Sequence, residues 1–376
     1  MTRFNISTTD SWFFKESRPM GAIGTNEMVS VFPPTPYTMS GVIRSMIGEN
    51  AALNWQDYRQ GKNYEFNTLI GDPRKEADLG KLKLMGLFLA KKNNSLLPAP
   101  LNLVKETNTE KLHLLQISDK TQLTDLGETK LPQLPANIVS AKPLEQHWIT
   151  LKGMQQILLG KTPEKTELFS LNELVIKDPR LGIAIDNQTR TVKESQLYQT
   201  THIRLQPEIS LHQFITGIEP KYLPKNSIEN RFGAEGRVAN ISAEEQSLII
   251  KKPVITKQTQ GLSIHFISHA HFEQSWLPND FKQTRTDTNQ TVWQGKINQI
   301  DITIEACIIG KAIREGGWDI AKHQPKPSPE MIPAGSIWYI TTTAPLDKAI
   351  DALHQSYIGQ ETQFGRGLIV CGLWEK

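Results

Sequence analysis

Three short segments concentrate glycine beside an aromatic or an arginine: Phe232-Gly233-Ala234-Glu235-Gly236-Arg237, Glu315-Gly316-Gly317-Trp318-Asp319 and Phe364-Gly365-Arg366-Gly367. Glycine has no Cβ and adopts positive φ at little cost, so such a chain can bring its backbone close to another molecule. Backbone N–H groups and arginine suit a phosphate, and an aromatic ring suits an unpaired base. The chemistry these segments point to is recognition of single-stranded nucleic acid. Any one of them alone reads as a β-turn whose aromatic packs inward; three together shift the balance toward RNA.

A catalytic alternative rests on His265, His269 and His271 in the run His-Phe-Ile-Ser-His-Ala-His. Equal parity would place all three on one face of a continuous strand, where they could ligate a metal. No Asp-x-Asp or Glu-His pair supports them, so a polar strand face is the stronger reading. The chain has no Gly-x-Ser-x-Gly elbow, Walker A loop or dinucleotide fingerprint. The expectation is a protein without catalytic residues, metal or cofactor.

Single arginines extend the RNA reading. Arg18 follows two aromatics and precedes Pro19, which makes it a candidate contact to phosphate or base, with a surface salt bridge as the equal alternative. Arg44 lies on the small-residue side of a predicted helix capped near Thr38, whose start could receive a phosphate; pairing with Glu49 is the alternative. Arg180 is a further candidate. Gly233, Gly236 and Arg237 read as a backbone cradle, with Glu235 orienting Arg237 or meeting another protein. Gly316, Gly317, Gly365 and Gly367 could admit a close approach. Trp318 and Phe364 are expected to pack inward more often than to stack on a base. Arg366 either reaches RNA or caps a sheet edge.

The elements that must hold these residues are mostly strands. Residues 4–8, 81–91, 262–268, 300–308, 336–342 and 368–373 read as strands, and Met39, Val42, Ile43, Met46 and Ile47 have helical spacing. A second helix is predicted over 346–357, with Ile350, Leu353 and Tyr357 on one side. The pattern gives an α+β fold of two tandem ferredoxin-like (RRM-like, βαββαβ) domains with inserted segments. The first domain covers 1–245, with polar insertions near 56–80 and 105–145 that would act as contact arms for protein partners; the second covers 246–376. A length of 376 residues suits two domains, and a net charge of +3 neither requires nor excludes nucleic acid. No run of apolar residues approaches a membrane span, and the start lacks a signal-peptide pattern. Cys307 and Cys371 sit in apolar strand-like runs and read as buried free thiols of a reducing cytoplasm.

Read end to end, the sequence resembles the RAMP superfamily of CRISPR effector proteins, and within it the third subunit of the type III-B (Cmr) RNA-guided complex. The resemblance is carried by "SWFFKESRPMG", "FPPTPYTMSGVIRSMIG", "LLPAP", "DPRLGIAIDNQTRTVKESQLY", "RFGAEGRV", "REGGWD", "KPSPEMIPAGSIWYI" and "IGQETQFGRGLIVCG", in that order. The superfamily's terminal glycine-rich loop falls at Gly365 to Gly367. The resemblance implies two ferredoxin-like domains. It also implies a non-catalytic subunit that grips the repeat-derived 5′ tag of the guide RNA (crRNA), beside the large polymerase-like subunit and the backbone RAMP subunits, and that meets target RNA indirectly. RAMP relatives that cut precursor RNA carry a histidine near the first helix, whereas residues 32–55 here contain none. An endoribonuclease and a histidine-ligated metalloenzyme are the rival readings, and a scaffold touching only proteins is the third.

Overall fold

The structure is a computed structural model that describes residues 1–15, 26–186, 188–273, 276–319 and 324–375. Arg18 therefore lies outside the described residues. The fold is mixed α/β, with strands far outnumbering helices. The chain divides into two compact units: residues 1–94, 172–247 and 314–329 form the first, and 95–171, 248–313 and 330–376 the second.

In the first unit, the strand Thr2–Thr8 pairs antiparallel with Ile209–Thr216 on one side and Val238–Glu245 on the other, and Ile209–Thr216 pairs with Lys83–Lys91. Counting these four strands along the chain, the order across the sheet is second, third, first, fourth. A helix, Pro36–Asn50, connects the first to the second and buries Met39, Val42, Ile43, Met46 and Ile47, the positions their spacing selects. Thr35, rather than the expected Thr38, caps it: the Thr35 hydroxyl accepts from the Thr38 N–H, and Pro36 occupies the first turn, where no N–H is needed. Between the third and fourth strands only a 3-10 turn, Pro220–Tyr222, stands in place of a helix. The segment 56–80 is ordered, with helices Trp55–Arg59 and Tyr64–Ile70 each capped by an asparagine.

In the second unit, Ile300–Ile308, Ile337–Thr341, Thr259–Phe266 and Leu368–Glu375 lie side by side in that order, all antiparallel, again second, third, first, fourth. Here the helix falls between the third and fourth strands, at Leu346–Leu353, burying Ala349, Ile350 and Leu353. It ends four residues before the predicted Tyr357, because Ser356–Tyr357 turns into a short strand against Leu368–Ile369.

Residues 95–171 differ from the sequence-based partition. They belong with the second unit and supply strands there, at Gln116–Thr124 and Gly127–Gln133 among others. Alternate residues of Ile337–Thr341 explain this. Trp338 and Ile340 join the helix side of the core, while Ile337 and Tyr339 face the other way with Ala306, Ile117 and Trp374. Asn102 donates to the Tyr339 hydroxyl at 3.3 Å, and Lys130 meets Glu305 at 2.8 Å. The segment is thus a cover for one sheet face, for which its polar composition left no periodic signal.

The loop 364–367 is an internal joint. Phe364 is buried, and Gly365 and Gly367 take φ of 79° and 71°. The Gly367 N–H donates to the His269 carbonyl at 2.8 Å, and its own carbonyl accepts from the Ile358 N–H at 2.9 Å. A Cβ at Gly367 would overlap the Ile358 carbonyl. Gly367→Ala combines that overlap with left-handed backbone, so it should cost roughly 2–4 kcal/mol in denaturant unfolding. Gly236→Ala, at φ 66° with open space around the added carbon, should cost only about 1 kcal/mol.

Four buried histidines set a pH limit. Burial lowers His265 to about 3 and His212 to about 4, and it also lowers His202 and His354 from the ordinary 6.5. The unfolded chain then binds more protons than the folded one below pH 6.5. Stability should be full above that pH and fall as pH drops toward 4, read as a melting temperature that declines from pH 7 to pH 4.

Candidate functional site

Residues 10–14 form the floor of the candidate site, and aromatic packing holds them in place. Trp12 pairs its backbone N–H and C=O with Ile203, both at 2.8 Å, and its indole donates to the Val238 carbonyl at 2.9 Å. Phe232 meets Trp12 and Phe14 edge-on at 4.8 and 5.0 Å, and Phe13 stacks on His202 at 5.1 Å. The Phe13 carbonyl accepts from the Ala234 N–H, and it lies where a Cβ on Gly233 would sit, so only glycine fits there. Gly233 therefore closes on the protein's own backbone. Gly236, in the same turn, has open space around it.

This packing brings three arginines together. Arg180 comes from the strand Val175–Ile185, Arg204 from its antiparallel partner Val192–Leu205, and Arg237 from the end of the glycine turn. All three reach Asp10: Arg180 at 3.3 Å, Arg204 at 2.9 Å and Arg237 at 3.1 Å. Asp178 holds Arg180 at 2.8 Å and Arg204 at 3.2 Å, and the Ser11 hydroxyl accepts from Arg180 at 2.9 Å. Glu235 stands 4.0 Å from Arg237 but 3.1 Å from the His202 ring, its nearer partner.

Burial pushes the Asp10 carboxyl up, but the Arg180 hydrogen bond and the charges of Arg204, Arg180 and Arg237 outweigh it and hold the group below its ordinary value. The Arg180 hydrogen bond does the same for Asp178. Burial, with the Arg180 charge, keeps His202 neutral at pH 7. The cluster thus carries three cations against three carboxylates. Its side chains are a quarter to a half exposed, so solvent screens these pairs and they position more than they stabilise. Beside it, Arg204 also lines an open trough of about 770 Å³ of mixed character, with Asn5, Lys92 and Asn93, the apolar Ile176 and Leu205, and the acids Glu208 and Glu244. That volume is within the range of ligand sites.

The other expected contacts fall elsewhere. Arg44 is turned inward: its guanidinium donates to the carbonyls of Ile70, at 2.7 Å, and Asp78, bracing the 70–78 loop rather than facing a ligand. Arg366 is a correction of the same kind. It is 1% exposed, and its guanidinium meets Glu361 at 3.1 Å and the Met331 sulfur at 2.8 Å. With Phe364, Gly365 and Gly367 it forms a joint within the second unit, so this segment presents no charge to solvent. Gly316 and Gly317 lie in the first unit, where Gly317 sits against Tyr37 at the start of the first helix and Lys326 lies over the Tyr37 ring at 4.4 Å. Trp318 is on a two-residue strand paired with Pro325.

The three histidines do not share a face. Their strand stops at Phe266, so parity no longer relates His265 to the other two. His265 is buried against the Ser263 hydroxyl at 2.9 Å, and His269 accepts the Ala334 N–H at 2.9 Å. Among the described residues there is no group of three or more His, Cys, Asp or Glu placed to hold a metal. Burial pushes the thiols of half-buried Cys307 and buried Cys371 up to about 11 and 12, so neither is a ready thiolate. No helix among the described residues is long and apolar enough to cross a membrane.

Sequence reasoning singled out Arg180, Gly233, Gly236 and Arg237 but missed Asp10, Asp178, His202 and Arg204. Asp178 and Arg180 share a strand face at i, i+2, and Arg204 follows His202 by the same step, which is the signal that was available.

The family model for CRISPR-associated protein (Cas_Cmr3) matches residues 4–374. The CRISPR system CMR subunit Cmr3 of Saccharolobus solfataricus is 31% identical over 140 residues, which is 37% of this chain and 40% of that protein. The match thus spans well under half of the curated relative's length. Among solved structures, a chain of the type III-B Cmr-beta complex bound to cognate target RNA and AMPPnP aligns at TM-score 0.49 and 17% identity, covering 90% of this chain and 86% of that one. A chain of a type III-A Csm3–Csm4 subcomplex aligns at TM-score 0.40 and 9% identity, covering 91% and 94%.

The cluster predicts a coupled pair. Arg204→Ala and Asp178→Asn each remove one side of a shared contact. A double-mutant cycle in thermal unfolding should return a coupling of about 0.5 kcal/mol, as for other partly exposed pairs, and the coupling should shrink in high salt.

Proposed function

The chain belongs to the CRISPR-associated Cmr3 family, and from that premise we propose that it is a non-catalytic RNA-binding subunit that holds the 5′ repeat-derived tag of the guide RNA. The observation that carries this reading is the convergence of Arg180, Arg204 and Arg237 beside the open Gly236 turn. Guanidinium forks and a side-chain-free backbone suit phosphodiester oxygens, and the trough offers the adjoining nucleotides both polar and apolar walls. Phosphate contacts would fix the register of the tag, with base edges read along the trough by Asn5, Lys92 and Asn93.

The same proposal reads each unit as a ferredoxin-like domain. Both carry the strand order of a βαββαβ unit; the first keeps the helix after its first strand, the second the helix after its third. It also places the chain in the cytoplasm, docked on the large polymerase-like subunit and the backbone RAMP subunits. The exposed apolar residues Leu181, Ile183 and Ile185 of the long hairpin suit a protein partner there.

Crosslinking within the co-purified complex, using guide RNA with a photoreactive 5′ tag, should map to the Gly233–Arg237 turn. Alanine at Arg180, Arg204 or Arg237 should weaken RNA binding and lower the slope of log K against log salt by about 1. Arg366→Ala should instead lower the melting temperature, with RNA affinity of the folded fraction unchanged. Wild-type RNA binding by all three surface variants, with crosslinks on another subunit, would leave a scaffold that touches only proteins.

A further inference from the structure

The arginine cluster already holds an anion of its own. The Asp10 carboxylate touches all three guanidiniums within 3.3 Å, Oδ1 toward Arg204 and Oδ2 toward Arg180 and Arg237. Asp178 touches two of them and Glu235 lies near one. Asp10 is also the most exposed of the three carboxylates, at 47%. It sits just past the end of the first strand, and its N–H is held by the Thr8 hydroxyl at 3.1 Å. This two-oxygen anion is held by one nitrogen from each of three guanidiniums, and a guanidinium binds a carboxylate or a phosphate alike.

We propose that Asp10 is a built-in competitor for phosphate: an RNA phosphodiester enters the cluster by displacing the Asp10 carboxylate from Arg180, Arg204 and Arg237, while Asp178 stays and keeps Arg180 and Arg204 in place. This rests on the RNA-binding reading above and adds how the site is regulated. Without RNA the three arginines are neutralised and splayed around Asp10, so they neither repel one another nor attract unrelated anions strongly. The exchange sets a threshold: a ligand must offer a phosphate placed well enough to replace a carboxylate that is tethered and always present. Casual contact by other polyanions is discouraged, and a correctly seated strand is not.

The test compares Asp10→Asn, which keeps size and removes charge, with wild type in the purified chain. The probes are an unstructured oligoribonucleotide and inorganic phosphate. Asp10→Asn should bind the oligoribonucleotide about five-fold more tightly at low salt, with the gap closing as salt rises. Its melting temperature should lie below that of wild type in anion-free buffer and recover on adding inorganic phosphate by more than wild type gains. Asp10→Ser provides the same reading if the asparagine variant does not fold. Binding weaker than or equal to wild type, or no extra gain from phosphate, would make Asp10 a positioning residue and overturn the proposal. The arginine-to-alanine variants separate the two ideas. If they bind RNA as wild type does, the cluster is not the RNA site and both fall; if they bind weakly while Asp10→Asn shows no gain, only the competitor role falls.

Discussion

The contact on which the candidate site depends is the stacking of residues 12–14 against Phe232, His202 and the strand that carries Ile203. Three guanidiniums do not assemble by themselves, because like charges repel and long side chains lose entropy when fixed. They assemble here because a buried aromatic wedge, with Trp12 fully enclosed, clamps the stretch bearing Asp10 to the strand bearing Arg204 and to the turn bearing Arg237, while strand pairing with the Arg204 strand brings in Arg180. The carboxylates then make the arrangement tolerable. The apolar contacts supply the energy and the ion pairs supply the geometry, which is the usual division between buried rings and half-exposed charges.

The two units solve one topological problem in complementary ways. Each lays four strands in the same order, but each keeps a different crossover helix. In the first unit the retained helix carries Arg44, whose guanidinium ties down the 70–78 loop, so an arginine that looks available in sequence is consumed by backbone carbonyls. In the second unit the glycines of the terminal loop let Gly367 pass against Ile358 and His269, which locks the last strand to the loop before it.

Much of the framework was legible from periodicity. The core face of the first helix, the strands near 300 and 337 and the closing strand all follow from apolar spacing, because burial imposes it directly. The site was only half legible. Gly233, Gly236 and Arg237 stand out as a local motif, but Asp10 and Arg204 matter through contacts far apart in sequence, which no local pattern encodes. Arg366 misled for a related reason: a buried arginine beside glycines looks the same, as letters, as one offered to a ligand. The histidines misled because parity holds only while a strand continues, and that strand ends at Phe266.

The cover formed by residues 102–130 has a consequence for how labour is shared within the chain. The four central strands of such a sheet have one face for a helix and one left over, and in single-strand readers bases ordinarily stack on a sheet face. In the second unit the spare face is occupied by the protein itself, through Ile117, Asn102 and Lys130 against Ile337, Tyr339 and Glu305. That face carries a small apolar cluster of Ala306, Ile337 and Tyr339, edged by the partly exposed Lys130–Glu305 pair. Two halves with one strand order thus differ in what covers them: the first gathers three arginines around Asp10, and the second lays its own chain over one face of its sheet.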